Sequence, residues 1–137
     1  MADILVVYLE PDEGLRKQML KRFERVAPNI DFLAVASMSQ IATLLRDFGS
    51  KIRLIISEWV FPIAPNSELE FDAGRFLGER LKTHQNPDVP NIPVIICTSQ
   101  SQCLHDFPAD LFHDLLWIKK DDFPESFEKI IERLKQL

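Results

Sequence analysis

The stretch Arg53-Leu-Ile-Ile-Ser-Glu58-Trp-Val-Phe-Pro62 limits what this chain can fold into more than any other. Leu54 to Ser57 is a short, apolar, β-rich run, and such a run needs cover on both faces, so a buried strand is expected. The run ends on a lone carboxylate, Glu58. Pro62 has no N–H to give to a ladder, so the strand is expected to stop and a loop to begin. In an open parallel sheet, ligands and chemistry gather in the crevice at the C-terminal strand ends. A carboxylate at that edge is a functional candidate by position.

The rest of the chain alternates as such a sheet requires. Ile4 to Leu9 is apolar throughout and reads as a first buried strand. Pro11 and the acids of Glu10-Pro-Asp-Glu13 suit a helix start, and Leu15, Met19, Leu20, Phe23 and Val26 recur at helical spacing before Pro28-Asn29. Phe32 to Ala36 reads as a second strand. Ser39 is the expected N-cap of a helix bearing Ile41, Leu44, Leu45 and Phe48, closed by Gly49. Beyond Pro62, Ile63 to Phe71 is longer than connections in such folds usually are and reads as an inserted loop. Asp72 opens a third helix running to about Lys82, and Thr83 to Asn91 is a polar surface loop. Pro93 to Thr98 is a fourth strand and Leu115 to Lys119 a fifth. Between them Ser99 to Asp114 is poorly patterned, with one short or irregular helix expected. Asp122 and Glu125 form a capping-box-like pair around Pro124, ahead of a last helix carrying Phe127, Ile130, Ile131, Leu134 and Leu137. This alternation implies an α/β three-layer sandwich, a parallel sheet with helices on both faces.

The length of 137 residues suits a single domain spanning 1–137. The net charge is −5 and no Lys/Arg block stands out, which argues against nucleic acid and against anionic membrane as partners. No stretch has the length and apolarity to cross a bilayer, and no secretory leader follows Met1, so a cytoplasmic location is expected and Cys97 and Cys103 read as free thiols.

The segment around Glu58 resembles the third strand and following loop of response-regulator receiver domains, the CheY-like family. That family carries an apolar strand, a phosphoacceptor Asp, two residues, then Met and Pro. Glu58-Trp-Val-Phe61-Pro62 keeps the spacing and the Pro, with Glu in place of Asp. The resemblance covers nearly the whole chain and implies a flavodoxin-like, five-stranded sheet of order 2-1-3-4-5. It also implies the other site positions. The family's acidic pair, which holds Mg²⁺, falls on Tyr8-Leu9, leaving Glu10 as the nearest acid. Thr98 matches the hydroxyl that contacts the phosphoryl group. The lysine after strand five falls on Lys120, counting back from Pro124, with Lys119 the alternative. Trp117 falls where the family carries an aromatic that swings inward, and packing is the favoured reading.

Mg²⁺ asks for near-octahedral oxygen ligands. Glu10 and Glu58 are a thin set, and ligand count favours reading both as partly exposed surface acids, with no metal and no cofactor bound. Phosphoryl transfer needs positioning and charge neutralisation by metal, so no phosphorylation is expected at Glu58. Two readings of Glu58 stay open: a standing imitation of phospho-Asp paired with a lysine, or a structural salt-bridge partner. The resemblance then implies a stand-alone, degenerate receiver, a pseudo-receiver in two-component or phosphorelay signalling, not an enzyme, with no output domain after the last helix. Its output would be protein–protein interaction with a signalling partner through a face including Trp117, Lys119 and Phe123, with a homodimer as the other partner considered. One alternative is a functional phosphorelay receiver with unusual chemistry at Glu58. The other is a small enzyme built on Cys97, Cys103, His105 and His113, whose spacings match no standard zinc pattern. For Phe107, Leu111 and Phe112, cover of the core is favoured over an exposed patch.

Overall fold

In the computed structural model, residues 5–99, 109–120 and 125–136 are described. Parallel strands β1 (Leu5–Leu9), β2 (Asp31–Val35), β3 (Ile52–Ser57), β6 (Val94–Thr98) and β7 (Leu115–Lys119) form one sheet in the order β2-β1-β3-β6-β7. With the short pair β4 (Phe61–Pro62) and β5 (Leu69–Glu70) set aside, this is the expected 2-1-3-4-5 arrangement. The helices are α1 (Glu13–Val26), α2 (Met38–Phe48), α3 (Ala73–Lys82) and α4 (Glu125–Lys135).

Successive side chains of a strand point to opposite faces. Val7, Leu9, Ile55, Val94 and Ile96 therefore face α2 and α3, where they meet Ile41, Leu45, Leu77 and Leu81. Val6, Tyr8, Leu54, Ile56, Ile95 and Ile118 face α1 and α4, where they meet Met19, Phe23, Phe127 and Ile130. Burying each Ile, Leu or Phe stabilises the fold by about 1.5–3 kcal/mol relative to exposure. The central strands are covered on both sides, which is why they read as unbroken apolar runs. Edge strand β2 is half open, with Leu33 exposed. No helix among the described residues is long and apolar enough to cross a membrane.

Local chemistry sets the element ends, in places against expectation. Asp12 caps α1 through Leu15 N–H to Oδ1 at 3.1 Å. The cap of α2 is Ser37, whose Oγ accepts from Gln40 N–H at 3.4 Å, and not Ser39. Ser39 lies inside the first turn, where its N–H goes instead to the Ile63 carbonyl at 2.9 Å. Gly49 follows α2 with a helical φ of −50°. Its lack of a side chain serves space, because a Cβ there would meet the Leu45 carbonyl at 2.5 Å and Val89 Cγ2 at 2.7 Å.

Pro62 does not end ladder pairing. Phe61 and Pro62 pair antiparallel with Glu70 and Leu69, so the expected loop over Ile63 to Phe71 is a two-stranded arm. A two-residue strand at a ribbon edge tolerates a missing N–H. Its tip is closed by Ser67, whose Oγ accepts from Ala64 N–H and donates to the Ala64 carbonyl, and Asn66 takes a left-handed φ of 66°. The Thr83–Asn91 segment is not all surface. Val89 begins a single 3₁₀ turn, Val89–Asn91, and is buried. In the poorly patterned region a second such turn spans Ala109–Leu111. Phe112 is buried in the α2/α3 layer and Leu111 packs against it, so both cover the core. Phe107, Asp122 and Pro124 lie outside the described residues.

Candidate functional site

The parallel register decides which side chains meet at the carboxyl edge. Leu9 pairs with Ser57, and Glu58 N–H donates to the Leu9 carbonyl at 2.9 Å. Glu10 N–H donates to the Val35 carbonyl at 3.0 Å. Glu10 is thus level with Glu58, one step past the ends of β1 and β3. Tyr8 and Leu9 lie further down, Tyr8 in the α1/α4 layer and Leu9 in the α2/α3 layer. The acid beside residue 58 is therefore Glu10, the residue after the Tyr8-Leu9 pair on which the resemblance places the family's acids.

Glu10 and Glu58 are 1% and 6% exposed, which corrects their reading as partly exposed surface acids. They are shielded because β1 and β3 are central strands and because Lys120 folds over them. Lys120 Nζ contacts Glu58 Oε1 at 3.1 Å and makes a close ion pair with Glu10 Oε1. Lys119, the alternative, pairs in register with Thr98 and is exposed. The remaining oxygens are also occupied. Glu10 Oε2 accepts from Asp12 N–H at 3.1 Å. Glu58 Oε2 accepts from Trp59 N–H and from Val60 N–H, the latter at 3.0 Å. Arg16, which no motif marks, donates from Nη1 to the Glu10 carbonyl at 2.6 Å and brings a second cation close. Thr98, buried at the end of β6, completes the edge.

The electrostatics follow from two carboxylates sharing one ammonium out of water. Burial pushes the Glu10 carboxyl up, and Lys120 and the Asp12 N–H only partly offset it. Burial pulls the Lys120 ammonium down, but hydrogen bonds and charges from Glu10 and Glu58 outweigh it, so its proton is held more tightly than usual. The Tyr8 phenol is raised, first by burial and then by the Glu10 charge.

The family resemblance implies Mg²⁺, and these residues do not fit it. All four oxygens of Glu10 and Glu58 carry donors, and an ammonium stands between the two carboxylates. No group of three or more His, Cys, Asp or Glu among the described residues is placed to hold a metal ion. As for thiol chemistry, Cys97 is buried in β6 and its thiol is pushed up to about 11, mainly by burial. That is an inert thiol, since nucleophilic cysteines need a lowered pKa. His113 is exposed, and Cys103 and His105 lie outside the described residues.

Trp59 links this edge to its surroundings. Its carbonyl accepts from Gly74 N–H at 2.9 Å, and its ring lies where a Gly74 side chain would be, 2.2 Å from an ideal Cβ. Trp117 of β7 is half-buried with its ring 5.6 Å from that of Trp59, a packing role. Of the expected interaction face, Trp117 and Lys119 are described, and Phe123 lies outside the described residues.

A five-stranded parallel sheet of this order, with two of the described helices on each face, is a flavodoxin-like architecture. No known protein-family model and no curated protein matches the chain. Solved structures do match. The chemotaxis response regulator CheY4 of Vibrio cholerae superposes with a TM-score of 0.72 at 14% identity, over 97% of this chain and 98% of that one. The non-phosphorylated HemR receiver domain of Leptospira biflexa gives a TM-score of 0.69 at 20% identity, over 97% and 94%. The phosphorylated cyanobacterial phytochrome response regulator RcpA gives 0.69 at 14% identity, over 96% and 91%. The chain has the CheY-like receiver fold.

Proposed function

We propose that this chain is a cytoplasmic, receiver-like module of two-component signalling that acts by binding a signalling protein, without phosphoryl transfer at residue 58. The shared fold supports the signalling class. The observation that carries the rest is Lys120, whose ammonium bridges Glu10 and Glu58. A carboxylate nucleophile needs an unencumbered oxygen in line with the phosphoryl donor and a cation to neutralise the developing charge. At Glu58 both oxygens are hydrogen-bonded, and the place for a metal is filled by the lysine. Incubation with acetyl phosphate and Mg²⁺ followed by intact-mass analysis is expected to leave the chain unmodified. A phosphoryl adduct on Glu58 overturns the reading.

A second reading is favoured by the same contacts. The Glu58 carboxylate takes two consecutive main-chain N–H groups and a lysine, the donor set of a bound anion. On this view Glu58 is a permanent, partial stand-in for a phosphorylated Asp. Glu58→Gln keeps an acceptor oxygen and removes the charge. It is expected to weaken capture of the native partner from cell extract, and unchanged capture removes the idea. The contact face includes Trp117 and Lys119, and Lys119→Glu is expected to lower capture as well.

A further inference from the structure

The arm made of β4, β5 and their turn has no place in the site just described, yet several of the exposed large hydrophobics among the described residues lie on it or beside it. The exposed large hydrophobics include Ile63, Leu69, Phe71 and Phe76, all on the arm or on the first turn of the helix it leads into. Phe71 is 70% exposed and Leu69 54%. Leu69 lies in β5 and Phe71 in the turn that leads from β5 into α3, one on either side of Glu70.

The arm is firmly mounted. Its first strand is tied to α2 by the bond from Ser39 to Ile63, its tip by Ser67, and its far end by the bond from Gly74 to Trp59. The outer edge of β5 is different. It pairs with no strand among the described residues, and no backbone hydrogen bond among them engages it. Exposed edges with apolar side chains are templates for another strand.

Charge says what kind of strand. From Leu54 to Gly74 there is no Lys or Arg. Glu68, Glu70 and Asp72 alternate with Leu69 and Phe71. A groove of about 600 Å³ adjoins the arm, lined by Met38, Ile63, Phe76, Glu79, Arg80 and Thr83. A strand added to β5 would bring its own side chains alongside Leu69 and Glu70, with Phe71 and Asp72 in the turn just beyond. Acids opposite β5 would meet like charge, while Lys or Arg would meet opposite charge and their neighbours would meet Leu69 and Phe71.

We propose that the edge of β5 is a docking strip for an extended, basic segment of a partner protein, in which Lys or Arg alternates with branched apolar residues. Main-chain bonds to the edge supply affinity, and the alternation supplies selectivity. The inference is independent of the reading of Glu58, because it uses none of the groups around that carboxylate.

The test uses the full chain, isotopically labelled, titrated with a fluorescent peptide in which Lys alternates with Val and Ile. Two comparison peptides carry Glu in place of Lys, or the same residues sorted into a basic block and an apolar block. The expected result is saturable binding of the alternating basic peptide alone, with amide shifts centred on residues 68–72. Phe71→Ser is expected to weaken it about tenfold, and Glu68→Gln with Glu70→Gln severalfold. Phe71 is exposed, so loss of binding in that variant with unchanged urea stability excludes misfolding as the cause. No saturable binding overturns the proposal. So does binding with shifts elsewhere, equal binding of the sorted or acidic peptide, or indifference to both variants. A concentration-dependent dimer that Phe71→Ser dissolves would assign the strip to a second copy of this chain and also overturn it.

Discussion

Around Glu58, three charged side chains sit largely out of water and every carboxylate oxygen has a donor within the chain. A few residues further on, Ile63, Leu69 and Phe71 are apolar and face solvent. The first region is closed on itself, whereas the second is incomplete. In an active phosphoacceptor site the closed region would need open valences and the arm would need nothing. On the function proposed above, contacts with other molecules belong to the surface and not to the crevice.

The largest test of this contrast is removal of Lys120. Lys120→Met leaves two buried carboxylates facing one another, and breaking a buried pair in this way costs about 3–5 kcal/mol. The urea midpoint is expected to fall accordingly, and a midpoint within experimental error of the parent would mean the cluster is not closed. The same lysine shapes the alkaline limb of stability. Its folded pKa lies above the ordinary 10.5, so its contribution is complete below that value and is lost as the pH climbs through the higher folded one. Tyr8 and Cys97, raised by burial, act in the same direction. Urea midpoints measured upward from about pH 8, in a Tyr8→Phe, Cys97→Ser background, are expected to fall with pH when Lys120 is present and to flatten when it is Met. On the acid side Glu10, also raised by burial, favours the fold as it takes up its proton, opposite to an ordinary salt-bridged carboxylate.

A middle-sized effect is expected where the two regions join. Gly74→Ala drives a Cβ into the Trp59 ring, and overpacking of this kind costs about 1–3 kcal/mol. Trp59 fluorescence should shift with it, because the ring must move. An unchanged emission maximum together with unchanged stability would mean that the Trp59 ring does not fill the space a Gly74 side chain would take. The smallest effect belongs to the arm. Phe71→Ser is expected to change stability by less than about 0.5 kcal/mol, since the ring is mostly in water already. A larger loss by thermal melt would mean that Phe71 is packed and the arm is not an open surface.

Much of the architecture was readable from the residues. β1, β3 and β6 are apolar runs because both their faces are covered, helical spacing located α1, and the third helix expected from Asp72 to about Lys82 is α3. The site was harder. Glu10 looks like a surface acid at a helix start, and only the parallel register, with Leu9 beside Ser57, shows that it ends up level with Glu58 and out of water. Lys119 and Lys120 cannot be told apart by composition. The pairing of Lys119 with Thr98 leaves Lys120 as the first residue past the strand, able to turn back over the edge. β4 and β5 have two residues each, too few for a period of two to register, and Pro62 argued against the pairing. The expected cap of α2, Ser39, falls inside the first turn, where its N–H meets the Ile63 carbonyl, a contact between residues 24 apart that no local pattern shows.

One consequence of the aromatic packing remains. The chain has two tryptophans, and their rings lie 5.6 Å apart with planes inclined at 34°. Chromophores that close and that skewed share their excitations, so an exciton couplet is expected in the ultraviolet circular dichroism of the folded chain. One indole adjoins Glu58 and the other belongs to β7, so the sign and size of that couplet form a built-in optical gauge of how the crevice and the last strand are set against each other.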